Sequence, residues 1–330
     1  MNATSLSYWE NRPKRIQWWI YAVTRIVTTL SFIVCAPVST FAAPRLFGAG
    51  DTEPAITAQP VENLLLIVAD IQRHIKDDVF RFPYPVDANG QNVFRAGIVK
   101  LSNYEKAYPG NVPDAIALAK AQAFERLCSF QEAGANYELA QKSKDERIRK
   151  LGVEGFERTK KISQITDTVP DQSSPRTWER DIRQRISLLK DLQKELTDAS
   201  VQCLLKLEQE RAQIQLAEFY IKVRFIRPYT LDEALKQIRT NIEDNKRSKS
   251  VYLHRLMLGD LYFELAKEYT YRHDPEGPEF RLREFEDFTK SARAEYDAVE
   301  KADGFDEKQE GKAKLQALES FAERVGDRAR

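Results

Sequence analysis

Apolar residues recur along most of this chain at steps of three and four, the spacing that puts them on one face of an α-helix. Between Val61 and Lys76 they are Leu64, Leu65, Ile67, Val68 and Ile71. Asp77 and Asp78 close that helix poorly, because acids oppose the helix dipole at its carboxyl end. A connector follows from Phe80 to Gly90, in which Pro83 and Pro85 demand extended backbone and Asn89-Gly90 signals a turn. Asn92 to Tyr108 reads as a second helix, capped by Asn92, faced by Val93, Phe94, Ile98, Leu101 and Tyr104, and stopped by Pro109-Gly110. Pro113-Asp114 opens the next, since proline suits a first turn where the amide needs no partner. From Arg176 the positions Ile182, Ile186, Leu189, Leu192, Leu196, Ala199, Cys203 and Leu207 continue the pattern, with no proline or glycine before Pro228. This predicts one long helix over Arg176–Tyr220, roughly 65 Å in length, or two broken near Asp198-Ala199-Ser200, bracing the rest as a strut.

The chain is organised around Ala117–Lys142. Small and aromatic residues fall at Ala121, Phe124, Phe130, Ala133, Tyr137 and Ala140, the pattern of two short antiparallel helices packed through small residues. This run resembles the tetratricopeptide repeat (TPR) family, in which small residues let two helices approach and aromatics fill the space between them. Asp145 to Ser163, with Leu151-Gly152, supplies a first helix for the next unit. Leu216-Ala217-x2-Tyr220 begins another first half, and Thr230 to Leu235 looks like its second-half opening. Leu258-Gly259-Asp260-Leu261-Tyr262 begins a third, completed at Ala292-x3-Tyr296-x2-Val299 after an insertion around His273–Pro278. A last helix, about Glu307 to Glu323, serves as a cap. The resemblance spans about half the mature chain, in blocks near 113–163 and 210–325. It implies binding of peptides and proteins on a concave face, and rarely catalysis.

The amino-terminal end reads differently. Arg12, Lys14 and Arg15 precede an apolar run from Ile26 to Ala36, ended by Pro37, with small residues at Thr40 and Ala42. A basic start, a short apolar run and a small-x-small site predict a secretory signal over 1–42, cleaved after Ala42 or Ala43. Arg25 divides this run from the apolar Trp18–Tyr21 before it, which an uninterrupted membrane span of about 20 apolar residues would not allow. A retained anchor over 16–42 is the alternative, and membrane contact is expected only there. A lipoprotein signal at Cys35 is disfavoured, because Val34 stands where a small residue is wanted. Localisation is therefore expected in the periplasm or cell envelope. The expected divisions are 1–42 signal, 43–60 flexible tether, 61–165 first hairpins, 166–228 linker and long helix, and 229–330 last hairpins with the cap.

The picture is all-α: irregular TPR-like hairpins with one long bracing helix. Scarce glycine (13) and proline (14) agree, since sheets need many tight turns. The 51 basic and 50 acidic side chains are interspersed, which offers nucleic acid no patch. Loss of 1–42 would move the formal charge from +1 to about −2, still near neutral. Cys128 and Cys203 read either as one disulfide or as two buried thiols. His74 reads as a surface residue beside Arg73 and Lys76, and His254 falls on a helix. His273 stands beside Asp274, Glu276 and Glu279, oxygens a metal would accept, yet Asp-Pro-Glu-Gly-Pro is also what an exposed turn needs. No nucleophile, metal or phosphate-loop motif occurs, and no cofactor is implied. Phe80, Phe82 and Tyr84 form a candidate docking loop; equally, they could seal the core. The leading expectation is an exported, non-catalytic scaffold that binds other proteins, itself included. A self-assembling structural subunit is the alternative, and a helical enzyme without recognised motifs the third.

Overall fold

The computed structural model describes residues 60–81, 88–248, 250–305 and 307–329. All are helix, turn or connector, and no strand occurs among them. They lie within one compact unit, Thr57–Arg330. Eleven helices follow in order: α1 (Pro60–Arg81), α2 (Ala88–Ala107), α3 (Pro113–Arg126), α4 (Phe130–Ala140), α5 (Glu146–Thr166), α6 (Pro175–Glu195), α7 (Ala199–Val223), α8 (Thr230–Asp244), α9 (Val251–Arg272), α10 (Leu282–Glu300) and α11 (Glu307–Arg328). The signal and tether expected over 1–59 lie outside the described residues.

Local chemistry sets most boundaries. Asp145 caps α5 by accepting from the amides of Arg147 and Ile148 at 2.8 and 3.1 Å. Ser174 and Thr177 cap α6 reciprocally, with Pro175 in its first turn. α1 runs past the expected stop at Lys76 to Arg81. Unfavourable acids at Asp77 and Asp78 cost little, whereas the first true breaker is Pro83, which also restricts the residue before it. α2 likewise begins at Ala88 and absorbs the expected turn at Asn89-Gly90, so Asn92 lies inside the helix.

The expected single strut is a hairpin. Leu196 turns extended, and Asp198 accepts from the amides of Ser200 and Val201 at 2.9 and 3.2 Å, starting α7 afresh. Gln193 bonds Gln209, Arg185 bonds Gln215, and Glu179 accepts from Tyr220, so α6 and α7 run antiparallel. The sequence had left a break near Asp198 open. The three-four spacing could not decide it, because the same apolar stripe serves a straight helix and a folded one.

Each helix packs chiefly against its neighbours in sequence, in antiparallel fashion, which is compatible with a helical-repeat architecture. The weakest consecutive contact is α5 with α6, across the connector 167–174; α1 reaches across to touch α7. The apolar core is correspondingly divided. One cluster joins Leu64, Ile71, Phe94, Leu101 and Ile116 of α1–α3. Another joins Phe130, Ile162, Leu189 and Leu205 at the centre. The largest runs from Ile182 on α6 to Leu318 on α11. Such serial cores are what stacked hairpins produce, each unit burying its face against the next. On α1, Leu64 and Ile71 are buried but Leu65 is exposed, contrary to the expected face. At 100° per residue, Leu65 and Leu66 turn away from the Leu64–Ile71 stripe.

Candidate functional site

The residues singled out by the repeat pattern are the ones that bring helices together. Ala121, Phe130, Ala133, Tyr137 and Ala140 are buried, and so are Leu216, Ala217, Tyr220, Leu258, Leu261, Tyr262, Ala292, Tyr296 and Val299. Tyr137 lies flat on Gly155 of α5, where a Cβ would stand 2.3 Å from its ring. Tyr296 lies on Gly259 of α9 in the same manner, with a Cβ at 2.6 Å. Both hydroxyls then reach a carboxylate on the preceding helix. Tyr137 donates to Glu125 at 2.7 Å, and Arg158 of the following helix completes the set at 2.6 and 2.9 Å. Tyr296 donates to Asp260 at 2.7 Å, and Lys314 of the following helix binds the same carboxylate at 2.6 Å. Burial and the neighbouring carboxylate push both phenols well above their ordinary range. The tyrosine–acid–cation set therefore fastens three consecutive helices twice over.

A third polar cluster is fully enclosed. Glu210 of α7 meets His254 Nε2 at 2.9 Å and accepts from Ser248 Oγ at 2.6 Å. Asn245 donates to Gln213 at 3.0 Å, and Asn241 donates to the Gln213 carbonyl at 3.2 Å. Glutamate, imidazole and hydroxyl are the ingredients of hydrolytic chemistry, but the order is wrong. Serine and histidine both bind the acid and not each other, so the imidazole cannot take the hydroxyl proton. Buried as it is, the cluster tethers α7, the α8–α9 connector and α9.

What faces outward is a cleft of about 500 Å³ between α8, α9 and α10. Ile242, Leu258 and Ala294 supply its apolar floor. Arg239 from α8 hydrogen-bonds the Tyr262 hydroxyl of α9 and sits over its ring, 5.9 Å from the centroid. Arg255 of α9 binds Glu295 of α10 at 2.8 Å. Ser291 and Glu243 complete the wall. Apolar side chains thus lie beside charged and hydroxyl groups that are held by their own hydrogen bonds.

The sequence-predicted residues fall elsewhere. Phe80 is in the last turn of α1; its side chain, and Phe82 and Tyr84 entirely, lie outside the described residues. His74 is half-buried and bonds the Asp70 carbonyl at 2.7 Å. His273 ends α9, while Asp274 and Glu276 are engaged by Arg328 of α11 at 2.9 Å each. This is the exposed turn, fastened to the last helix. No group of histidine, cysteine or acidic side chains among the described residues is arranged to hold a metal. Cys128 and Cys203 are not joined in a disulfide; Cys203 is buried and Cys128 partly so, the second of the two expected readings. Burial, with Glu208 nearby, pushes the Cys128 thiol up to about 12. Sequence reasoning missed the cleft because its walls come from three separated helices. Only Leu258 and Tyr262 carried a signal, as the two ends of the Leu258–Tyr262 run.

Fold and cleft together describe an all-helical, repeat-like protein with an outward-facing cleft. No family model, no curated protein and no solved structure matches the chain. No described helix is long and apolar enough to cross a membrane.

Proposed function

We infer that this chain is a non-catalytic scaffold of divergent TPR-like hairpins, exported to the cell envelope, that holds a protein partner in the α8–α9–α10 cleft. The cleft itself carries the reading: an apolar floor with Arg239 and Tyr262 already fixed against each other. Preorganised side chains lose less freedom on binding, which is where an interface gains affinity. The TPR-like assignment has separate support. Ala133, Tyr137, Ala140 and Gly152 recur at identical intervals as Ala292, Tyr296, Val299 and Gly311. In each set the glycine of the following helix packs on the last turn of the tyrosine's helix: a Cβ on Gly152 would stand 2.5 Å from the Gln141 amide nitrogen and 2.9 Å from Ala140, and one on Gly311 2.8 Å from Val299. Export rests on the basic, apolar and small-x-small order of residues 1–42. The test is to fill the cleft. Ser291→Trp in the tagged full-length chain should abolish co-purification of its partner from cells while leaving helicity and melting temperature unchanged. Retention of the same partner would sink the cleft as the binding surface.

A second reading, self-assembly, is favoured by one observation. Val61, Leu65 and Leu66 are exposed together on α1, an apolar face that a second copy of the chain could cover. Sedimentation of the full chain over a wide concentration range decides it. A mass that rises with concentration and is reset by Leu65→Glu with Leu66→Glu favours assembly; a constant monomer mass removes it.

A further inference from the structure

The connector between α7 and α8 stands apart from the others. The exposed residues of the α4–α5 connector are Lys142, Lys144 and Asp145, and the α8–α9 connector exposes Lys246 and Arg247, as turns ordinarily do. The α7–α8 connector instead displays Phe225, Ile226 and Tyr229, exposed by 68%, 75% and 66%. They are held out by a firmly bonded turn. Ile226 and Arg227 amides both donate to the Val223 carbonyl, at 2.9 and 2.8 Å. Thr230 donates to the Arg227 carbonyl through its amide at 2.9 Å and its hydroxyl at 2.7 Å. α9 returns to the same end: Glu268 of α9 binds Arg224 at 2.6 Å, and one turn on, Tyr271 is 92% exposed. The result is a convex, apolar knuckle with an aromatic neighbour, not a groove.

Its charges are ordered. Within 224–229 the charged side chains are Arg224 and Arg227, and neither Arg227 nor the exposed Arg176 at the adjoining start of α6 makes an ion pair among the described residues. The nearby acids are largely engaged, Glu218 with Lys222 and Glu268 with Arg224 and Arg272. Asp232 and Glu233 stand a turn back along α8, at its amino terminus, where the dipole favours them.

We propose that this knuckle docks on the surface of an anionic lipid bilayer. Phe225 and Ile226 enter the headgroup–acyl boundary, Tyr229 lies at headgroup depth, and Arg227 meets lipid phosphates. A convex apolar tip fits a deformable partner, where a concave cleft fits a protein side chain. Aromatic and aliphatic apex residues above arginine are the order in which a bilayer presents its own layers. The site is separate from the α8–α9–α10 cleft.

The test places an environment-sensitive fluorophore on Ile226→Cys in the full-length chain, in a Cys35→Ser background, with Leu139→Cys, an exposed position on α4, as the control. A label at 226 reports the knuckle itself, whatever the amino-terminal segment does. In vesicles of equal parts phosphatidylcholine and phosphatidylglycerol, the 226 label should brighten several-fold and shift to the blue, with no change at 139. Pure phosphatidylcholine, or Arg227→Glu, should remove most of that response. An unshielded 226 label, or equal shielding in both lipids that Arg227→Glu leaves untouched, overturns the proposal. So does shielding by a lipid-free cell extract with none by vesicles, which would assign the knuckle to a protein.

Discussion

Val112 holds the least favourable backbone among the described residues. Its φ of 40° and ψ of 54° are left-handed, it is β-branched, and Pro113 follows it. A non-glycine residue there costs about 1–2 kcal/mol, and a branched one is a clear outlier. Asparagine tolerates this region and can also cap a helix. Val112→Asn should therefore raise stability by about 1 kcal/mol, seen as a melting temperature roughly 2–4 °C higher; an unchanged or lower value would mean the strain is not real. Asp198 is the opposite case, a residue well matched to its place. The hydroxyl of Ser200, then the amides of Val201 and Ser200, hold its carboxyl below the ordinary carboxylate range despite partial burial. The folded state thus favours the ionised form. Its contribution is complete above the unfolded pKa of about 3.9 and is lost as pH falls through the lower folded value. Asp198→Ala should cost about 0.5–2 kcal/mol near neutral pH. Asp198→Asn should keep much of the cap while making stability fall less steeply between about pH 5 and 3, as urea melts at each pH would reveal.

At the scale of elements, the glycines separate packing from propensity. Gly155→Ala improves helix propensity by about 1 kcal/mol, yet its Cβ would meet the Tyr137 ring at 2.3 Å. The α4–α5 hairpin should be destabilised, and the Tyr137–Glu125 bond weakened with it. Gly134→Ala on α4 meets only Thr159 Oγ1 at 3.7 Å and should gain stability. Thermal melts of the two variants should move in opposite directions; a parallel shift would refute the aromatic-on-glycine contact. This scale also marks what the sequence could reveal. Ala133, Tyr137 and Ala140, or Leu258 and Tyr262, were legible because their spacing follows one helix period and a short loop. Gly155 went unnoticed as the seat of Tyr137, since nothing in one helix names its partner in the next. The choice between one strut and two helices stayed open for a related reason: Asp198 was seen as a possible break, but capping competes with helix continuation on a few tenths to about 2 kcal/mol, which apolar spacing does not register. Tyr137 and Tyr296 had been read as apolar filler, though their hydroxyls make the Glu125 and Asp260 ties.

For the whole molecule, stability and binding surface reside in different places. The Glu210–His254–Ser248 cluster binds three elements in the interior. His254→Leu leaves Glu210 buried with only Ser248 to satisfy it, and should cost about 3–5 kcal/mol. Glu210→Leu with His254→Leu should cost less than the single change, because no carboxylate is then stranded; denaturant melts of both decide it. The cleft, by contrast, should tolerate Arg239→Glu with little loss of stability, since that side chain is exposed and bonds only the rim hydroxyl of Tyr262. The most direct measurement of the central claim is site-specific photo-cross-linking in intact cells, with the reactive residue at Ala294 in the cleft floor or at Leu139 as control. The account predicts a discrete adduct with one or a few other proteins from position 294, none from 139, and its loss on Arg239→Glu. Adducts only to further copies of the chain, or none that depend on position or on Arg239, would contradict it.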